Sequence, residues 1–383
     1  MSQLLLSPSA LISSLSHVAQ AASESACAQA LVACASLLQG AILAEQSPAD
    51  FHAALEAVPA EQGAQLHEVM NRAVNFHLLE DGSTLGLWLM PVVLTSEKPL
   101  PSLIALETNS LNALKMSAYL LQQLQLTADK GGHAATGWTY VVPALYSEEQ
   151  LREADLGTLV RLPHEARAVV RGEREELSFE VGTTSTLDAG TTLYFLPFVA
   201  YSPAGFPSSM PNPSSKTTTR LSQWIADTLE PVVGDSFTSY PVQPSPFTLG
   251  LKAGDRLLMD VKLRATMLTI CNESGVEPNG LAALVAPYAT RDSDGAFMVG
   301  VSLMSRMTQN VVATLAVPVT SDEGQEEVTL TTHILSDMGL VAIQHHDETI
   351  STFSCQHCGK VQFALPNPVL AAKGVQECAQ HVH

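Results

Sequence analysis

The chain predicts an α/β (α+β) protein whose mixed sheets are built from strands alternating with helices. Three observations carry this. Apolar runs of strand character are separated by turn residues, amphipathic stripes at helical spacing lie between them, and the chain opens with helix signals and no strand pattern. At 383 residues it exceeds one small core and suits two or three domains or repeated units. A hydrophobic fraction of 46% against 15% charged residues marks burial rather than disorder.

Residues 1–72 predict a helical N-terminal segment. Ser7-Pro8 reads as a cap with proline in the first turn, followed by Leu11, Leu15, Val18 and Ala22 on one face. Ser47-Pro48-Ala49-Asp50 repeats the signal and opens a second helical stretch, which Pro59 should interrupt. No Lys or Arg precedes Arg72, so Met1 to Leu6 lacks the positive region of a secretory signal. The uncharged stretch 25–44 approaches membrane-spanning length but is diluted by Gln29, Ser36, Gln39 and Gly40, which favours a buried or self-associating helix.

A first α/β unit is expected over 73–175. Strand-like runs 74–79 and 84–94 flank the hairpin signal Asp81-Gly82. Leu111, Leu114, Ala118 and Leu121 then form a helical stripe, 138–146 reads as a strand, and Ser147-Glu-Glu-Gln150 as a cap. A second unit over 176–295 repeats the order, with runs 177–182 and 191–201 and a stripe through Leu221, Trp224, Ile225 and Leu229. The segment 247–271 and the strand 281–289 complete it. A third unit over 296–350 has runs 297–304 and 311–319, an acidic helical stretch 322–338 and a strand 340–344. The rhythm predicts degenerate hairpin–helix–strand repeats. Pro91, Pro143, Pro197, Pro287 and Pro318 each interrupt an apolar run, which predicts strand edges, bulges or strand ends there. Hydroxyl and acidic residues soon after them, such as Ser147-Glu148, read as helix caps and solvated turns.

Residues 351–383 carry the sharpest chemical signal. Cys355 and Cys358 form a Cys-x-x-Cys pair with Gly359 next to it, nineteen residues separate Cys358 from Cys378, and His381 completes a Cys-x-x-His pair. Two thiolates on a tight knuckle with a second Cys/His pair form the ligand set of a structural zinc site, here Cys355, Cys358, Cys378 and His381. His383 or His357 is an alternative fourth ligand. Three thiolates and an imidazole leave no position for water, so such a site is structural rather than catalytic. The segment is similar to zinc-ribbon and zinc-knuckle modules in general, which implies a small metal-stapled hairpin and no activity. Cys27, Cys34 and Cys271 read instead as small buried hydrophobes, a pattern that suits a reducing compartment and a cytoplasmic location.

Elsewhere the chemistry is sparse. His345-His346-Asp347-Glu348 invites a second metal, but neighbours on a strand face opposite ways. His67-Glu68 and His164-Glu165 lack the later His of a helical zinc protease motif. No nucleophile elbow, phosphate loop or dinucleotide fingerprint occurs. Trp88, Trp138 and Trp224 lie in apolar runs and read as core. A net charge of −19 opposes phosphate backbones and disfavours nucleic acid as a partner. The expectation is a non-catalytic cytoplasmic protein with structural zinc, acting through protein contacts or self-association in an adaptor, assembly or regulatory role. The alternatives are a metal-dependent hydrolase using Glu97, Asp292 or His346 at strand ends, and nucleic-acid contact through the zinc module.

Overall fold

The computed structural model describes residues 6–44, 46–106, 111–124, 137–175, 177, 179, 181–206, 223–227, 229–230, 237–289, 297–318, 325–349, 353–354 and 361–362. The chain divides into two compact units, Met1–Gly254 and Asp255–His383.

The first unit begins with helices, as expected. The Ser7 hydroxyl accepts the Ala10 N–H at 3.2 Å and opens α1 (Pro8–Ala19). Ser23 does the same for α2 (Glu24–Leu43) through Ala26. These bonds satisfy donors that a helix start leaves unpaired. α3 (Pro48–Glu56) stops short of Pro59, and α4 (Gly63–Asn75) comes next. Leu11 and Leu15 of α1, Leu38 of α2 and Val69 of α4 are fully buried. α2 is long and apolar enough, by length and composition, to cross a membrane, and one third of its most apolar stretch is buried inside the protein.

Strands then assemble on α4. β1 (Phe76–Leu78) starts two residues later than the apolar run suggests, because α4 continues to Asn75. Gly82, at a φ of 81°, closes the hairpin to β2 (Thr84–Ser96). β3 (Leu100–Pro101) and β4 (Leu103–Ala105) precede α5 (Leu111–Gln123). The strand expected over 138–146 is broken into β5 (Trp138–Val141) and β6 (Ala144–Ser147). Ser147 caps α6 (Glu148–Glu153) through the Gln150 N–H, the turn role that its spacing implied. α7 (Leu156–Val170) leads to β7 (Thr186–Leu187), β8 (Gly190–Ser202), β9 (Phe237–Pro241) and β10 (Ser245–Pro246).

β2 and β8 form the axis of the eight-stranded sheet, antiparallel over all thirteen residues from Thr84↔Ser202 to Ser96↔Gly190. Segments 73–175 and 176–295 thus contribute to one sheet. One face presents Trp88, Met90, Val92 and Leu94 beside Tyr194, Leu196, Phe198 and Ala200. Met116, Leu120 and Leu124 cover it, with Ile225 and Leu229. Of the stripe inferred for α5, Ala118 is exposed, while Leu121 is half-buried and packs against this core. Reciprocal bonds tie α5 to β5, Ser117 donating to the Thr139 carbonyl and Thr139 to the Ser117 carbonyl.

The prolines give the largest correction. Pro143 lies between strands and Pro318 ends one, but Pro91, Pro197 and Pro287 sit inside strands. In a strand the N–H and C=O of one residue point the same way, so the carbonyl shows where the missing N–H would aim. The Pro91 carbonyl accepts Val242 N–H at 2.9 Å, between the parts of β2 paired with β10 (Trp88, Leu89) and β9 (Val92 to Ser96). The Pro197 carbonyl accepts Val142 N–H at 3.0 Å, where β8 passes from β6 to β5. Each proline sits where its outer neighbour is broken, so no ladder bond is lost. A misplaced proline would strand a buried carbonyl at a cost of about 1–3 kcal/mol.

The helix Phe247–Ser274 contains the division between the units. In the first unit its Gly250 and Gly254 approach the sheet so closely that a Cβ would lie 2.7 Å from Leu89 Cβ and 2.5 Å from the Phe195 ring. The second unit has a four-stranded sheet, β13-β12-β11-β14, made of β11 (Leu281–Ala289), β12 (Phe297–Ser305), β13 (Val311–Pro318) and β14 (Ala342–His345). The expected hairpin 297–319 is β12–β13, and β14 pairs parallel to β11. Pro287 obeys the same rule. Val285, on its side of β11, accepts His346 N–H at 3.0 Å, and β14 ends before reaching Pro287. Leu263 and Met267 of the long helix, with Val328 and Leu335 of the helix Gln325–Asp337, cover Val285, Val301 and Leu303. β15 (Phe353–Ser354) and β16 (Val361–Gln362) form a separate two-stranded pair.

Replacing Gly254 with Ala is expected to lower unfolding free energy by about 1–3 kcal/mol, because the ring it meets is locked in the core. Gly40→Ala, where a Cβ meets nothing within 4 Å, is expected to raise it by about 0.5–1 kcal/mol. Urea unfolding of both variants checks the contrast.

Candidate functional site

A concavity of mixed polar and aromatic lining lies at the edge of the first unit's sheet, where β2 passes from β1 to β10. It encloses about 690 Å³, within the range of small-molecule pockets. Its apolar wall is three rings in mutual contact. Phe76 and Trp88 meet edge to face at 6.1 Å and Trp88 and Phe206 at 5.3 Å, while Phe76 and Phe206 lie tilted to each other at 5.7 Å. Pro244, Pro246 and Leu249 form the opposite side, with Gln243, Ser245 and Thr84 as polar lining.

Arg72 is the one ionisable residue among the described residues lining this cleft. It lies a turn before Phe76 on α4 and sets its guanidinium over that ring, 4.9 Å from the centroid. Its side chain reaches solvent, yet partial burial of the guanidinium draws its pKa below the usual arginine value. No carboxylate among the described residues lies within ion-pair distance of it. Trp88 is 2% exposed, and its indole N–H has no acceptor among the described residues. Gly86 makes room for that ring, since a Cβ there would stand 2.6 Å from Nε1 and 2.9 Å from Phe206.

The scaffold around the cleft is held by side chains whose roles the periodicity did not reveal. The buried Gln39 amide donates to the Ala73 and Phe76 carbonyls, each at 2.8 Å, closing the end of α4 where Arg72 and Phe76 project. Asn75 and Thr248 exchange two bonds, Nδ2 to Oγ1 at 2.8 Å and Thr248 N–H to Oδ1 at 3.0 Å, so the start of the long helix is capped from α4. The Ser202 hydroxyl donates to the Gly205 carbonyl and shapes the turn that delivers Phe206. A single Gln or Asn in a helix gives no sign that it serves a distant backbone.

A second cluster is a buried histidine pair. His77 on β1 is 1% exposed, and its Nδ1 lies 3.0 Å from His164 Nε2 on α7. One nitrogen carries the proton and the other accepts it. His77 Nε2 has no partner among the described residues. Desolvation, with repulsion from His164, pushes the His77 pKa down to about 3, and burial beside Arg167 lowers that of His164. Nearby Ser83 donates to Asp81, not to either imidazole, so the serine–histidine bond that would activate a nucleophile is missing here. The sequence paired His164 only with Glu165. His77, in an apolar strand, gave no signal of its own.

The sequence-derived metal residues Cys355, Cys358, Cys378 and His381, with His357 and His383, lie outside the described residues, as does Asp292. The hairpin β15–β16 brackets the first two cysteines. Phe353 pairs with Gln362 and Ser354 with Val361. His345 ends β14 and His346 comes directly after it, both exposed. His346 Nε2 lies 3.2 Å from Gln344 Nε2, on the alternate side to His345. Glu97 is exposed in the turn after β2. Among the described residues no group of three or more His, Cys, Asp or Glu is placed to hold a metal. Cys34 is buried, with its thiol pushed up to about 11, while Cys27 and Cys271 are half-buried. Comparison with protein-family models, curated proteins and solved structures finds no match to the chain.

A depressed histidine pKa gives stability that is complete above the unfolded value of 6.5 and is lost as pH falls towards 3, because the unfolded chain binds a proton that the folded one excludes. Unfolding free energy should therefore drop by a few kcal/mol between pH 6.5 and 4, roughly 1.4 kcal/mol per unit for one such group. His77→Phe should flatten that slope, and denaturant titrations across the window read the difference.

Proposed function

We propose that the chain is a non-catalytic binding protein of the cytoplasm, with Cys355, Cys358, Cys378 and His381 holding a structural zinc ion that shapes a C-terminal contact module. The observation that supports this most is the pairing of Phe353–Ser354 with Val361–Gln362. A Cys-x-x-Cys knuckle needs its flanks drawn into a hairpin so that both sulfurs project to one side, and this pairing draws them together. Closed structural sites contribute on the order of 10–16 kcal/mol to their own folding, enough to order a segment with little core. Its role is contact with a protein partner or a second copy, in an adaptor, assembly or regulatory setting.

We also read the first unit as two degenerate copies, each a long strand, a helix and two short strands. β2 and β8 are both thirteen residues long with proline in eighth place, and Val242 and Val142 bond those prolines alike. An experimental structure in which β2 with β9 and β10 fails to superpose on β8 with β5 and β6 removes that reading.

Elemental analysis of purified protein is expected to give one zinc per chain. Cys355→Ser and Cys378→Ser should each release it with little loss of far-UV circular dichroism. A zinc-free wild-type protein, purified without chelator, contradicts the proposal.

A further inference from the structure

We propose that the cleft beside Trp88 is a binding site for a small planar apolar carboxylic acid, an aryl carboxylate. This site is independent of the zinc reading, and either can fail alone.

The cleft is open for a reason visible in the pairing around β8. Ser147 lies opposite Tyr194 and Tyr146 opposite Phe195, just as Pro246 lies opposite Trp88 and Ser245 opposite Leu89. One residue earlier on each strand, Leu145 corresponds to Pro244. Around β8 the outer edge of β6 is occupied by β4, with Ile104 opposite Leu145, and Ser147 N–H donates to the Ser102 carbonyl at 2.8 Å. Around β2 the equivalent positions are Pro244 and Pro246, which have no N–H to give. A strand docking there would find neither donor, so these prolines protect the edge against an added strand. The crevice that β4 fills on one side is left as a cavity on the other.

What remains can recognise a ligand without backbone donors. The half-buried rings of Phe76 and Phe206, backed by the buried Trp88, offer apolar surface to a flat body. Arg72 supplies a cation with no carboxylate among the described lining residues, in a chain where acids outnumber Lys and Arg by 38 to 19. Its guanidinium lies over Phe76, 4.9 Å from the ring centroid, where its planar fork can meet a carboxylate. A flat acid of two fused rings fits a volume of about 690 Å³. A neutral ligand would leave the cation uncompensated, and a polyanion would find no second cation among the described lining residues.

The test is calorimetric titration of the full-length protein at pH 7 with 2-naphthoate and with the neutral 2-naphthalenemethanol. The wild type is expected to bind naphthoate at one site, at least tenfold more tightly than the alcohol. Arg72→Gln should bring the ratio close to one while leaving alcohol binding unchanged, and Gly86→Val, which fills the space beside Trp88 and Phe206, should abolish both. Arg72 projects to solvent and its replacement keeps the core intact, so its titration decides the matter even where Gly86→Val does not fold. No saturable naphthoate binding, equal affinity for the two probes, or a ratio unmoved by Arg72→Gln overturns the proposal.

Discussion

A proline inside a β-sheet is tolerated only where no neighbouring carbonyl requires its missing N–H. That constraint runs through both units. In the first, Pro91 and Pro197 lie on opposite strands of the β2–β8 ladder, and each aims outward at a break between two short strands. They face the same fault in two places, so the ladder itself is uninterrupted over thirteen residues. A slip of β2 by one residue would turn the Pro91 ring nitrogen towards the carbonyls of β8. It would also exchange the face carrying Trp88, Met90 and Val92 for the one carrying Leu87 and Leu89. Register, core and proline placement are therefore one fact.

The breaks that admit the prolines also shape the surface. Because β1, β10 and β9 succeed one another along β2, a seam opens where β1 gives way to β10, and Phe76 and Trp88 converge on it. Gln39 and Asn75 fix the end of α4 beside that seam. The cleft arises from interrupted pairing, and its single cation from where α4 happens to end. The glycines of the long helix act on the opposite face of β2 and β8, letting the helix backbone approach Leu89 and Phe195.

Much of this was legible in the sequence. Ser7 capped the helix that its position implied, Ser47 opened α3 at the expected place but without a side-chain cap bond, Asp81-Gly82 turned the first hairpin, and β12–β13 formed where two apolar runs met. The prolines were recognised as breaks in pairing, but a sequence shows only that a donor is missing, not which side of the strand lacks it. For that reason Pro91 and Pro197 looked like edge residues while lying in the two central strands. The tie between Ser117 of α5 and Thr139 of β5 was not legible, because an apolar stripe carries no sign of which polar residues meet beside it. The cleft was hidden for a similar reason. Trp88 reads as core and is core, and only the third dimension sets Arg72 and Phe206 around it.

The most direct measurement moves the proline by one residue. Pro91→Val alone should change unfolding free energy by under about 1 kcal/mol, because the new N–H faces the junction and not the ladder. Pro91→Val combined with Val92→Pro shifts the missing donor to the side facing β8. Chemical unfolding should then show a loss of about 3 kcal/mol or more, or no cooperative transition at all. If the shifted protein unfolds at the same denaturant concentration as the wild type, the phase of the prolines does not hold the sheet together and the account is wrong.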